Sequence, residues 1–232
     1  MKTSFWTKLF DLLSPRQCAI CGNRLSANES AICSTCMLHM SYTDFHLTPT
    51  DNQMVRLFWG QFPVERAASL FYYEPKSEIS QLIYNIKYYG RVDVCEDMGR
   101  IVANYFNKHQ FFEGIDAIIP MPITLKRRWH RGYNQSLMIA KGIQSVTLLP
   151  IYNDVVKRRH FHGSQTDKNQ RERRENVEGA FQLVNGNRVA HKHILLVDDI
   201  TTTGATIIAC ASELCKAENV MVSVLTLGYT KT

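Results

Sequence analysis

Residues 194–206 read Ile-Leu-Leu-Val-Asp-Asp-Ile-Thr-Thr-Thr-Gly-Ala-Thr. Two adjacent carboxylates, Asp198 and Asp199, are followed by a run of hydroxyls and a glycine. A loop that opens a helix offers unpaired backbone N–H groups and the positive end of the helix dipole, which together make an anion site. The hydroxyls of Thr202, Thr203 and Thr206 can donate to phosphate oxygens. Gly204 permits a turn that other residues resist. Carboxylates beside an anion would repel it unless they bind something else, such as sugar hydroxyls or a hard cation like Mg²⁺. A ribose phosphate satisfies both halves. The plain alternative is an ordinary strand-to-helix turn with an aspartate as helix cap.

A second constellation is Cys18-Ala-Ile-Cys21, then eleven residues, then Cys33-Ser-Thr-Cys36. Two CxxC pairs present four thiolates as two knuckles, which suits tetrahedral Zn²⁺. Gly22 lets the chain turn around the metal. Four thiolates leave no open coordination position, so the expected role is structural or in recognition. The alternative is a pair of redox dithiols. His39 is close in sequence but surplus.

A third group is basic. Lys126, Arg127, Arg128 and Arg131 carry positive charge just beyond a strand that runs into Pro120-Met121-Pro122, with Trp129, His130 and Gly132 among them. At a strand end this cluster would meet an anionic ligand. A solvated surface is the ordinary reading of such a run.

These groups need a frame. Residues 194–197 have the length and β-branching of a buried strand, closed by the two aspartates. Ala205, Ile208, Ala211 and Cys215 then recur at helical spacing, with Ile207 and Leu214 broadening the stripe. In open α/β sheets, ligands sit at the carboxyl ends of strands. Upstream, residues 67–73 read as a strand stopped by Glu74-Pro75. Ile79, Leu82, Ile83 and Ile86 form a helix face that ends in the basic, aromatic cluster Lys87-Tyr88-Tyr89-Gly90-Arg91. Val94, Met98, Ile101, Val102 and Tyr105 outline a second helix. Residues 115–119 read as another buried strand, and the basic loop then leads to a helix with Leu137, Ile139, Ala140 and Ile143. Residues 154–157 and the segment around Phe181 read as strands. Residues 220–227 are apolar on both faces and should pair parallel to the central strand. Residues 158–178 are polar and should act as a lid. Residues 37–62 are weakly periodic and read as a connector. Phe5, Trp6, Leu9, Phe10 and Leu13 give a short amphipathic helix over 4–13 that docks on its own protein, or otherwise on a membrane or partner surface.

A chain of 232 residues can bury a substantial core as one domain or one plus a small module. Net charge is +6, from 27 basic and 21 acidic residues, a mild excess. No apolar run reaches the ~20 residues that span a bilayer. The N-terminus lacks the continuous apolar region of a signal peptide. The expected compartment is the cytoplasm, where seven cysteines are reduced thiols or metal ligands rather than a disulfide frame.

Val-Asp-Asp-Ile-Thr-Thr-Thr-Gly-Ala-Thr resembles the phosphoribosyl pyrophosphate (PRPP) motif of type I phosphoribosyltransferases. The resemblance implies that Asp198 and Asp199, the catalytic carboxylates, face the ribose hydroxyls. It implies that Ile200, Thr201, Thr202, Thr203, Gly204, Ala205 and Thr206 cradle the 5′-phosphate. Further segments join it: the two Cys-x-x-Cys pairs, Ile-Lys-Tyr-Tyr-Gly-Arg at 86–91 and Pro-Met-Pro-Ile at 120–123. Arg-Gly-Tyr-Asn-Gln-Ser at 131–136 and Glu-Arg-Arg-Glu-Asn-Val-Glu-Gly-Ala-Phe at 172–181 complete the set. In combination they resemble the ComF family, associated with bacterial competence for DNA uptake.

The resemblance implies an α/β fold of type I phosphoribosyltransferase kind, Rossmann-like, with a mostly parallel sheet flanked by helices. It implies a division at 1–62 (helix, four-cysteine zinc module and connector) and 63–232 (phosphoribosyltransferase-like domain). It implies structural zinc on Cys18, Cys21, Cys33 and Cys36, and Mg²⁺ with PRPP. Arg127, Arg128, Arg131 and Gly132 would hold the pyrophosphate, with Arg173 and Arg174 closing over it. The implied function is binding of PRPP or ribose 5-phosphate, with phosphoribosyl transfer linked to DNA uptake. The alternative is a non-catalytic competence factor that binds single-stranded DNA and uses the fold as a phosphate scaffold, with aromatics such as Tyr88, Tyr89, Trp129, Tyr133 and Phe161 as stacking platforms. A competence helicase is an implied partner. The chain departs from the family at Lys168, where an apolar residue is usual after the Gln165-Thr166 pair. A glutamine-hydrolysing amidotransferase is not expected. Its nucleophilic cysteine comes first after processing, whereas the first cysteine here is Cys18, inside the knuckle.

Overall fold

Ile194, Leu195, Leu196 and Val197 have no exposed surface. A strand reaches that state only in the middle of a sheet covered on both faces. The computed structural model describes residues 16–159 and 179–231 and places these four residues so. Strands β1 (Val64–Tyr73), β6 (Met221–Thr230), β5 (His193–Thr201) and β2 (Ala117–Pro120) form a sheet in the order β1-β6-β5-β2. All three pairings are parallel. The expected parallel pairing of the last strand with the central one is borne out. A separate antiparallel pair joins β3 (Val156–Arg158) to β4 (Phe181–Leu183).

The central strand continues past the aspartates that close its apolar run. It runs on to Thr201 because β6 is long enough to partner it: Asp198 pairs with Thr226, Ile200 with Gly228 and Thr201 with Tyr229. On the other side β2 ends at Pro120, opposite Val197. The sheet therefore opens beside Asp198 and Asp199.

Seven α-helices surround the strands among the described residues. They are α1 (Ser34–His39), α2 (Gln53–Phe58), α3 (Glu78–Tyr88), α4 (Val92–Asn107), α5 (Leu125–Arg131), α6 (Gln135–Thr147) and α7 (Ala205–Leu214). Helix α3 starts at Ser77, whose hydroxyl accepts from the Ser80 N–H, and buries Ile79, Leu82, Ile83 and Ile86 as their spacing demands. Burial of four such side chains contributes roughly 6–12 kcal/mol, so this face, not its polar end, holds the helix in place. Helices α4 and α6 cross at Gly99 and Gly142. A Cβ at Gly99 would fall 2.1 Å from the Ile139 carbonyl oxygen, and one at Gly142 would fall 2.1 Å from that of Glu96. Only glycine allows that approach.

Two regions differ from the sequence reading. The basic stretch expected as a loop is helix α5. Thr124 caps its start, accepting from the Arg127 N–H, and Gly132 closes it in the left-handed conformation at φ 79°. Its helical character was hidden because no residue in it is buried, so no apolar period marks it. The weakly periodic connector contains the end of α1, a 3₁₀ turn at Phe45–Leu47 and α2. It buries Met54, Val55 and Phe58, and the Asn52 side chain ties it to the sheet by donating to the Ala67 carbonyl at 2.8 Å.

The expected helix over 4–13 lies outside the described residues, as do Phe161, Gln165, Thr166, Lys168, Arg173 and Arg174. Among the described residues, no helix is long and apolar enough to cross a membrane.

Candidate functional site

The end of β5 turns into α7 through Thr202, Thr203 and Gly204. Gly204 sits at φ 73°, a left-handed conformation that suits glycine. Most helices here have side-chain caps: Asn52, Ser77, Thr124 and Asn134 cap α2, α3, α5 and α6. No side chain caps α7 among the described residues. Its first N–H groups therefore have no side-chain acceptor there. Residues 200–207 and Asp198 line one open hollow in front of them. Thr202 and Thr203 are exposed there, whereas Thr201 is buried and its hydroxyl donates to the Thr226 Oγ1 at 3.4 Å. The loop rests on the former connector. A Cβ at Gly204 would fall 3.0 Å from both Leu57 Cδ2 and Phe58 Cε1 of α2. The buried face of α7 is Ile207, Cys210, Ala211 and Leu214, with Ala205 and Ile208 only half-buried. This rotates the expected stripe, because a helix start so rich in apolar residues does not settle its own phase.

The two carboxylates are engaged differently. Asp198 Oδ1 accepts from Ser136 Oγ at 2.8 Å and from the Asp199 N–H at 2.9 Å. Asp199 Oδ2 pairs with Lys87 Nζ at 3.2 Å. Withdrawal from water, and then the neighbouring Asp199 charge, push the Asp198 carboxyl up to about 7, against the lowering effect of Ser136. Lys87 is presented by the last turn of α3, which is gripped from two sides. The Tyr133 hydroxyl donates to the Ile86 carbonyl, and the Asn85 amide donates to the Ala19 carbonyl of the cysteine knuckle. With Asp199 already paired to an ammonium, the acids do not form a ready cage for a free divalent cation.

The basic candidates are only partly drawn together. Arg127 and Asp198 both act on the guanidinium of Arg158, which stacks over Phe181 at 5.2 Å. Burial and then the Arg127 charge lower the Arg158 pKa, and Asp198 offsets them. Arg131 donates to Gln135 Oε1 at 3.1 Å. Lys126, Arg128 and His130 are exposed, as is Trp129 at 90%. Gly132 serves as the helix cap.

Beyond the Asn85 bond to Ala19, the sulfurs of Cys18, Cys21, Cys33 and Cys36 all lie within 4.8 Å of one another. Cys21 and Cys33 sulfurs are 3.7 Å apart. A tetrahedron with Zn–S bonds of about 2.3 Å has edges of about 3.8 Å, so the donor set fits zinc. Backbone N–H groups of Ile20 and Cys33 point at the Cys18 sulfur, each at 3.4 Å, and that of Cys36 points at the Cys33 sulfur at 3.5 Å. Burial raises the Cys18 thiol, the backbone N–H groups of Cys21, Cys33 and Ile20 lower it, and the balance is about 7, close to the thiolate a metal needs. The four-cysteine cluster could hold zinc. His39 is not part of it; its Nδ1 lies 2.7 Å from the Thr35 carbonyl.

Sequence reasoning missed Lys87 and Ser136 as partners of the acids. Both lie in segments it had singled out, but nothing along the chain says which acid they meet.

A mostly parallel sheet with flanking helices, an open strand-to-helix loop on its central strand and an N-terminal four-cysteine cluster that could hold zinc define an α/β protein with a small cysteine module. No protein-family model matches the chain. It is 32% identical to competence protein F of Haemophilus influenzae over 141 residues, covering 59% of this chain and 60%, less than two thirds, of that protein. It is 27% identical to the DNA utilization protein YhgH of Escherichia coli O157:H7 over 207 residues, covering 84% of this chain and 89% of that protein. These relatives bear out the resemblance to the ComF family that the motifs carry. Among solved structures, a glutamine PRPP amidotransferase from B. subtilis aligns with a TM-score of 0.39 at 18% identity, covering 61% of this chain and 30% of that one. A hypothetical protein from Neisseria gonorrhoeae with bound ppGpp aligns with a TM-score of 0.40 at 16% identity, covering 60% and 69%. Likeness at that level adds nothing to the topology itself.

Proposed function

We propose that this protein binds PRPP or a related ribose phosphate in the hollow at the start of α7, transfers the phosphoribosyl group, and serves DNA uptake. The observation that carries the reading is a helix start without a side-chain cap, set directly beyond two carboxylates that other segments hold in place. Backbone N–H groups at the start of α7, with the hydroxyls of Thr202, Thr203 and Thr206, take the 5′-phosphate. Asp198 and Asp199 turn to the ribose hydroxyls and favour the positive charge that develops on C1 as pyrophosphate leaves. Arg127, Arg128 and Arg131 hold the pyrophosphate. Catalysis of this kind is positioning plus electrostatics. The acids alone make no open cage, so a divalent cation would be held there only with a ligand's own diphosphate oxygens, where it would offset their charge. The names of the relatives, competence protein F and DNA utilization protein, support the link to DNA uptake.

Calorimetry with PRPP and Mg²⁺ tests the reading on wild type and on the Asp198→Asn/Asp199→Asn variant. Binding by wild type and its loss in the variant are expected. No heat from wild type, or equal binding by both, removes the proposal.

A second reading is favoured by one observation: α5 exposes Lys126, Arg127, Arg128 and Trp129 around its surface, with Lys126 and Trp129 three apart and so neighbours on one face. That surface suits the backbone and bases of single-stranded DNA. Affinity should then fall steeply with salt, and a flat response to ionic strength contradicts it. The two readings coexist on one molecule.

A further inference from the structure

An acid beside a phosphate cradle is a natural ligand for a divalent cation. Here Asp199 is not free to be one. Its Oδ2 lies 3.2 Å from Lys87 Nζ, and the two side chains are only 9% and 21% exposed. The lysine is not a chance visitor. The residues just before it, Asn85 and Ile86, are bonded to Ala19 and Tyr133, so the turn that carries it is tied to two other segments. The neighbouring Asp198 Oδ1 is also in use, by Ser136 and by the Asp199 N–H. A hard cation needs several anionic oxygens, and an ammonium at ion-pair distance opposes a second positive charge strongly in a part-buried site.

We propose that Lys87 is the resident counter-ion of Asp199 and closes the acid pair to free divalent cations, so that a cation comes only with a ligand bearing its own phosphate oxygens. The second clause rests on the ribose phosphate reading; the first does not. The helix that carries Lys87 is held by its buried apolar face, so the charge can be removed without removing the helix.

The test uses the zinc-loaded full chain and Mn²⁺ alone, with free Mn²⁺ read by electron paramagnetic resonance. Lys87→Met and Lys87→Gln should both bind Mn²⁺ at least about tenfold more tightly than wild type. Lys87→Arg should exclude it as wild type does. Lys87→Met/Asp199→Asn should lose the gain. The proposal is overturned if the neutral variants bind no more tightly than wild type, if the gain survives the loss of Asp199, or if Lys87→Arg behaves like Lys87→Met. PRPP titration of wild type is a separate arm. Silence there with the Mn²⁺ pattern intact removes the ribose phosphate reading and leaves the role of Lys87 standing.

Discussion

The Ser136 hydroxyl donates to Asp198 Oδ1 at 2.8 Å, across 62 residues of sequence. Ser136 opens α6, and Asp198 lies where β2 has ended and β5 continues. The bond therefore fixes an acid at the open step of the sheet, with its other face toward the hollow. Lys87 does the same for Asp199 from α3. Two adjacent acids are thus held by two different helices, and the predictions follow from that division.

Ser136→Ala removes one of the two donors to Asp198 Oδ1 and leaves the backbone N–H. A hydrogen bond to a charged group contributes about 1.5–3 kcal/mol. PRPP affinity by calorimetry should drop about tenfold or more, with the circular dichroism of the fold unchanged. Undiminished affinity would show that Asp198 needs no such support.

The pH dependence of stability has a definite sign. The Asp198 carboxyl is raised to about 7 in the folded chain by burial and the Asp199 charge, against about 3.9 unfolded. The folded state holds the extra proton, so the Asp198 contribution is greatest below about pH 4 and is lost as pH rises to about 7. His46 and His193 oppose this trend, since burial lowers both and favours their neutral forms. Denaturant titrations of wild type and Asp198→Asn at about pH 5 and about pH 8 separate the two. The stability of wild type relative to the variant should be lower at the higher pH.

Gly204→Ala tests the loop. The position is left-handed, and the new methyl meets Leu57 and Phe58 at 3.0 Å. Strain and overpacking should cost about 1–3 kcal/mol. Thermal melting should show the loss, and ribose phosphate binding should fall with it. A variant as stable as wild type would mean that the loop is not seated on α2.

Cys33→Ser removes one sulfur of the cluster. Metal analysis of the purified chain should find zinc in wild type and its loss in the variant. An unchanged zinc content would refute the four-sulfur site.

Much of this was legible from local pattern. Parallel β5 and β6 follow from unbroken apolar runs, α3 from Ile79, Leu82, Ile83 and Ile86, and the cysteine cluster from its spacing. The misses have a common cause. Lys87 and Ser136 meet the acids only through the packing of α3 and α6, which sequence spacing does not encode. Leu57 and Phe58 support Gly204 from a segment too short to show a period. Helix α5 buries nothing, so its register left no trace in hydropathy. The phase of α7 is not legible along the chain because Ile207 and Ile208 are equally apolar and only packing chooses between them.

The most direct measurement is amide NMR of Ala205, Thr206 and Ile207 during titration with ribose 5-phosphate. A phosphate seated on the start of α7 predicts saturable shifts that are largest at these three amides and small along Leu125–Arg131. Unmoved amides at saturating ligand, or shifts confined to Leu125–Arg131, would contradict the account.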